Sequence, residues 1–226
     1  MRYALRLSGV YKSYFVDSLE IKVLRDINLN LRSGGVLCVM GPTGSGKTTL
    51  LKVASGFLKP DKGEVRLFDV NVYSLPQRER IGFLRENVSF MPQEDALIWE
   101  LTLFENVELP LLISGVSKGE RRRMVEDALS LVELNGLEDR LPSEVSGGER
   151  RRALLARSLV FMPKILFADE PTSNLDSKTA LRIVDKLLQL NKEYGLTLLV
   201  STHDILVAEK LGRSVLIRDG KLLESK

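Results

Sequence analysis

Nine residues in one run, Gly41-Pro42-Thr43-Gly44-Ser45-Gly46-Lys47-Thr48-Thr49, have the types and spacing to hold a polyphosphate. They fit G-x-x-x-x-G-K-[ST], the phosphate-binding loop (P-loop) pattern. Lacking Cβ atoms, Gly41, Gly44 and Gly46 let successive backbone N–H groups converge on one anion. The apolar run Val36–Met40 precedes the loop and Leu50-Leu51-Lys52-Val53-Ala54 follows, so the order is strand, turn, helix. A helix N-terminus then adds its partial positive charge at the same spot. Lys47 is placed to reach β- and γ-phosphates, and the Thr48 hydroxyl to ligate Mg²⁺. The run predicts nucleotide binding.

Such a site needs carboxylates from a second strand. Lys164-Ile165-Leu166-Phe167-Ala168 is an almost wholly apolar stretch that ends in Asp169-Glu170. Asp169 is placed to meet the metal held by Thr48. Glu170 points elsewhere by strand alternation, which leaves it to polarise a water attacking the γ-phosphate. His203, the one histidine, follows the apolar run 197–202, at the strand edge where ligands bind in α/β sheets. It is a candidate γ-phosphate contact.

The elements that must position these groups read as α/β. Strands are expected at 3–11 and 20–31, an antiparallel N-terminal layer, then at 36–40, 64–68, 87–91, 164–168 and 197–202. Helices are expected after the P-loop, at 77–86 and at 177–193. Between about 95 and 160 the pattern turns helical: Ser117 to Glu120 has capping-box spacing and opens a helix through Leu134, and Ser146 to Glu149 repeats that spacing. Residues 213–218 and 221–224 flank Asp219-Gly220, a hairpin signal. The fold expected is a P-loop core with a mainly parallel sheet and an inserted helical subdomain near 95–160, in one domain over 1–226.

Composition agrees with a globular domain: 44% apolar and 28% charged residues, with net charge +3. That small charge gives no argument for nucleic acid; Arg150-Arg151-Arg152 could suggest it, but a solvated helix face near phosphate is the preferred reading. Cys38 is the only cysteine, which suits a reducing compartment. No leader-like N-terminus and no run long enough to cross a bilayer is seen, so membrane work would need a spanning partner.

These motifs occur in one order: Gly41–Thr49, Gln93 after Phe90-Met91-Pro92, Val145-Ser146-Gly147-Gly148-Glu149, Ile165–Glu170, Ser173-Asn174-Leu175-Asp176 and His203. Together they resemble the ATP-binding subunits of ABC transporters over essentially the whole chain. The resemblance implies that Ser45, Gly46, Lys47, Thr48 and Thr49 hold ATP and Mg²⁺. It makes Asp169 the Walker B carboxylate and Glu170 the catalytic base. Gln93 becomes the residue that senses the γ-phosphate near the metal, and His203 the switch histidine. Tyr14 matches the adenine-stacking aromatic, with Tyr11 as the competing choice.

Ser146, Gly147 and Gly148 would close on the ATP of a second subunit, so the active unit is expected to be a head-to-tail dimer, homomeric or paired with a related subunit. Val145 and Glu149 depart from the usual Leu and Gln of this signature; Glu149 should still serve its capping box. The apolar segment Ala96–Thr102 is expected to take an integral membrane subunit, with Trp99 either a contact or packed inside the helical subdomain. The stretch 101–111, Ser201-Thr202-His203-Asp204 and the ending at Lys226 resemble the lipoprotein-releasing and macrolide-exporter group. The expected setting is cytoplasmic, peripheral to the membrane. The rival readings are a mechanical or signalling ABC ATPase, a soluble one acting on DNA or ribosomes, and a P-loop kinase.

Overall fold

In the computed structural model, which describes residues 2–223, the chain builds two sheets with the P-loop helix packed between them. β1 (Tyr3–Val16) and β2 (Leu19–Arg32) form a long antiparallel hairpin closed by Asp17-Ser18, where Asp17 has φ 53°. β1 runs five residues past its expected end, whereas β2 exceeds its expected bounds by one residue at each end. The extension carries Phe15, Val16 and Leu19 out into solvent, so no buried alternation marks it in the sequence. β3 (Val36–Met40) leads through the P-loop into α1 (Lys47–Ala54). β4 (Lys62–Leu67) and β5 (Val70–Asn71) complete a four-stranded antiparallel sheet of order β2-β1-β4-β5.

The chain then enters α2 (Gln77–Asn87) and β6 (Val88–Met91). α3 (Leu103–Ile113) opens on a capping box: Thr102 Oγ1 accepts from Glu105 N, and Glu105 Oε2 accepts from Thr102 N. The helical region therefore starts near 103 rather than 95. α4 (Lys118–Leu131) ends three residues before Leu134, because the chain turns at Glu133 with φ 60°. Ser117 stands at its N-cap, yet its side chain makes no capping bond, a second correction to the expected start. A 3-10 turn at Pro142–Glu144 leads into α5 (Gly147–Leu159), where the expected capping box is formed.

β7 (Ile165–Asp169), α6 (Ser177–Tyr194) and β8 (Thr197–Thr202) follow their apolar runs closely. α6 buries Ala180, Ile183, Val184, Leu187 and Leu190, the stripe of a 3.6-residue period, and ends where Gly195 takes φ 67°. α7 (Ile205–Leu211) was not expected; Asp204 caps it by accepting from Leu206 N and Val207 N. β9 (Ser214–Arg218) and β10 (Lys221–Leu223) form the C-terminal hairpin. Glu224, expected in the last strand, lies outside the described residues.

The second sheet has six strands in the order β10-β9-β3-β8-β7-β6, parallel except for β10. Its inner strands are buried on both faces, and alternation sorts their side chains into two cores. Leu37, Val39, Ile165, Phe167 and Leu199 face α1 and the antiparallel layer. Cys38, Leu166, Ala168, Leu198 and Val200 face the core shared with α3 to α7. Each fully buried Leu or Phe here contributes roughly 1.5–3 kcal/mol, so the sheet is a rigid platform for whatever its ends carry.

Candidate active site

Four parallel strands deliver the chemistry to one edge. The P-loop follows β3, Gln93 follows β6, Asp169 ends β7 and His203 follows β8. Their ends are level in register: Met40 pairs with Thr202, Asp169 with Ser201, and Met91 with Ala168. The resulting cleft is lined by Thr43, Gly44, Gly46, Lys47, Thr48, Thr49, Gln93, Glu170 and His203, with Val23 reaching in from β2. The sheet thus joins residues up to 160 positions apart, as crossover connections between parallel strands allow.

The loop is shaped by contacts that only glycine tolerates. A Cβ at Gly41 would stand 2.4 Å from Ile217 O and 2.7 Å from Ser45 Oγ. Gly46 has φ 105° as the N-cap of α1, and a Cβ there would meet Val23 O at 3.0 Å. Ser45 Oγ is buried without a hydrogen-bond partner, an orphan that an incoming phosphate oxygen could satisfy. Lys47 folds back over the loop: its ammonium donates to Gly41 O at 2.7 Å and Pro42 O at 3.2 Å, and lies 3.2 Å from Glu170 Oε1.

Glu170 is 4% exposed and takes a left-handed φ of 46°. That conformation is costly for a residue with a long side chain, and its own N–H, shared between Ser201 O at 3.1 Å and Ser201 Oγ at 3.0 Å, holds it. The turn points the carboxylate into the cleft, where Oε2 lies 3.0 Å from His203 Nδ1. Asp169 is buried beneath, and its Oδ1 accepts the Ser201 hydroxyl. Sequence reasoning missed Ser201, whose two roles arise only where β7 and β8 lie side by side.

The signature residues stand apart from this cleft. Ser146 caps α5, with its Oγ accepting from Glu149 N at 3.3 Å and donating to Glu149 Oε2 at 2.7 Å. These contacts, first the hydroxyl and then the Ser146 N–H, hold the Glu149 carboxyl below the usual range. Gly148 packs so closely on α6 that a Cβ would meet Thr179 Cγ2 at 2.6 Å. Neither Tyr14 nor Tyr11 lines the cleft; Tyr14 pairs with Ile21 near the exposed hairpin tip.

The arginine run is not a solvated face, which corrects the sequence reading. Arg150 donates to Asp95 Oδ2 at 3.0 Å and Val145 O at 2.9 Å, and its guanidinium lies 5.4 Å from the Trp99 ring centroid. Arg151 is 6% exposed and bonds only to backbone carbonyls. Trp99 itself is 48% exposed, so it is not packed inside the helices. Its loop is fixed by Asn106, fully buried, which accepts from Ile98 N at 2.8 Å and donates to Ile98 O at 2.9 Å. Asn106 was missed because a polar residue inside a helix looks, in sequence, like any surface position.

The Thr48 hydroxyl, which lines the cleft, and the carboxylate of Asp169, at the end of β7, are oxygen donors of the kind a hard cation takes. Among the described residues no group of three or more His, Cys, Asp or Glu could hold a metal alone. Mg²⁺ takes one or two protein ligands and completes its shell with phosphate and water.

The model of the ABC transporter family matches residues 24–173. The lipoprotein-releasing system ATP-binding protein LolD of Syntrophus aciditrophicus is 38% identical over 222 residues, covering 97% of this chain and 98% of that protein. The macrolide export ATP-binding/permease protein MacB of Rhodopirellula baltica is 39% identical over 97% of this chain, which spans 32% of its length. Among solved structures, the dimeric ATP-binding cassette MJ0796, in a post-hydrolysis state bound to ADP and Pi, superposes with a TM-score of 0.89 at 37% identity, covering 98% of this chain and 97% of that one.

Proposed function

This chain belongs to the ABC transporter family, and we propose that it is the ATP-binding and ATP-hydrolysing subunit that powers a separate transmembrane subunit. The observation that carries the reading is the single cleft formed by the P-loop, Gln93, Glu170 and His203, with Ser146–Gly148 held away from it. A phosphate site held apart from its signature calls for a second subunit, identical or related, to supply one. ATP binding then closes a head-to-tail dimer over two nucleotides, and hydrolysis reopens it. Among the described residues no helix is long and apolar enough to cross a membrane, so the spanning part is assigned to a partner at the cytoplasmic face.

Within the cleft, the P-loop N–H groups and Lys47 hold the β- and γ-phosphates. One Lys47 donor stays on Gly41 O while the triphosphate draws the others from Pro42 O and Glu170. Thr48 and Asp169, with Gln93 at the cleft edge, would hold Mg²⁺, which would supply positive charge to offset that on the phosphate oxygens. Glu170 accepts a proton from the attacking water as its oxygen bonds to the γ-phosphorus and the bond to ADP breaks. His203 orients Glu170 and contacts the γ-phosphate. Tyr14 is assigned to adenine, a role read by nucleotide affinity in Tyr14→Phe and Tyr14→Ala.

The deciding experiment is a pull-down with ATP-loaded Glu170→Gln protein from solubilised membranes and from soluble extract. A multi-spanning membrane protein is the expected catch. Recovery of soluble partners alone would overturn the membrane assignment while leaving the ATPase chemistry standing.

A further inference from the structure

Arg151 is a buried cation with, among the described residues, no carboxylate directly on its guanidinium. Nε donates to Pro171 O at 2.7 Å, Nη2 to Glu170 O at 2.7 Å and Asp169 O at 3.4 Å, and Nη1 to Gln93 O at 2.9 Å. One planar fork therefore grips two separate strand ends: the turn after β7 that presents Glu170, and the turn after β6 that presents Gln93. The fork itself is mounted on α5, whose first turn carries Ser146, Gly147 and Gly148. Burial lowers the Arg151 pKa to about 10, opposed by the charges of Asp95, Asp169 and Glu170, so it stays protonated at neutral pH.

Desolvating a guanidinium is expensive, and well-packed apolar residues often do the structural job as well. What an apolar side chain could not do is fix the relative placement of four carbonyls on two chain segments. Lysine could not do it either, since its point charge lacks the five-donor planar fork. Glu170 is held in a left-handed backbone conformation, so small slippage of its carbonyl would swing the carboxylate away from the reacting water.

We propose that Arg151 is a positioning residue that locks the Glu170 turn to the Gln93 turn and couples both to the signature helix α5. A shift of α5 as its first turn meets a second subunit's nucleotide is passed through this clamp to the chain's own hydrolytic site. The proposal rests on the ATPase reading above for its catalytic consequence, although the clamp itself does not.

The test is Arg151→Gln, read three ways. Its kcat for ATP should fall roughly 10- to 100-fold, the scale of a displaced catalytic group. Its affinity for a fluorescent ATP analogue should stay within about twofold, because no Arg151 contact reaches the P-loop. Amide exchange of the nucleotide-free protein should quicken at Gln93–Glu94 and at Glu170 and Thr172, and not along Gly41–Thr49. If Arg151→Gln does not fold, Arg151→Lys is measured in the same way and should show a smaller loss of the same kind. The proposal is overturned by a kcat within twofold of wild type, by a loss of affinity that matches the loss of kcat, or by unchanged exchange at both turns. A wild-type protein that never hydrolyses ATP would instead sink the ATPase reading, and exchange would still decide the clamp.

Discussion

Glu170 and Lys47 face each other across the cleft as a buried pair, Oε1 to Nζ at 3.2 Å, with their side chains 5% and 7% exposed. The same carboxylate meets His203 Nδ1 through its other oxygen. Neither partner is free for nucleotide without the other being released, so phosphate binding and readiness of the carboxylate are linked by one contact. Removing one member of such a pair leaves the other buried without its partner, which costs more than a surface ion pair typically supplies.

Glu170→Gln should keep the side-chain shape and lose the proton acceptor. Hydrolysis should fall by about 10²–10⁴-fold, with ATP still bound and dimers accumulating on a sizing column. Normal turnover in this variant would refute Glu170 as the base.

Lys47→Ala should weaken ATP binding by roughly 10- to 100-fold, since hydrogen bonds to charged groups contribute about 1.5–3 kcal/mol. The melting temperature without nucleotide should also drop, because Glu170 loses its cation. Titration calorimetry and thermal denaturation separate the two effects; unchanged affinity would remove Lys47 from the phosphate site.

Trp99→Ala is expected to abolish binding to the membrane subunit while ATP affinity stays the same. Trp99 is half exposed beside Arg150 on a loop that Asn106 fixes. Retained binding to the membrane subunit would end its assignment as a contact.

The Glu149 carboxyl is held below the ordinary value of about 4.3, so its capping contribution is present above that pH. It is lost as pH falls through the lower folded-state value. Because the group is largely solvated, Glu149→Ala should cost no more than about 1 kcal/mol. Glu149→Gln should keep the helix start, flatten this acid limb of the stability profile and hydrolyse ATP at close to the wild-type rate. An unaltered acid limb would count against the box.

Burial, assisted by the Glu170 charge, pushes the Cys38 thiol up to about 12. It should resist a disulfide reagent at pH 8 in the native protein and react at once on unfolding. The linked stability is whole below the ordinary thiol value of about 8.5 and declines as pH rises from there toward 12. Rapid native-state labelling would show that β3 opens.

The sequence by itself determined the P-loop, the strand, helix and turn around it, and the apolar runs that became β3, β7 and β8. These are local signals: glycine spacing, a 3.6-residue stripe on α6, continuous apolar strands. β2 was legible to within a residue at each end, but the outer end of β1 was not, since it buries little and so leaves no pattern. α7 was invisible because seven residues carry too few turns to show a period. Only the tertiary structure decided that Gln93, Asp169, Glu170 and His203 share an edge with Lys47, because parallel pairing sets the register of strands far apart in the chain. Likewise, three consecutive arginines are alike in sequence. The 100° step between helical residues sends Arg150 to Asp95 and Trp99, and Arg151 inward to the carbonyls that frame Glu170.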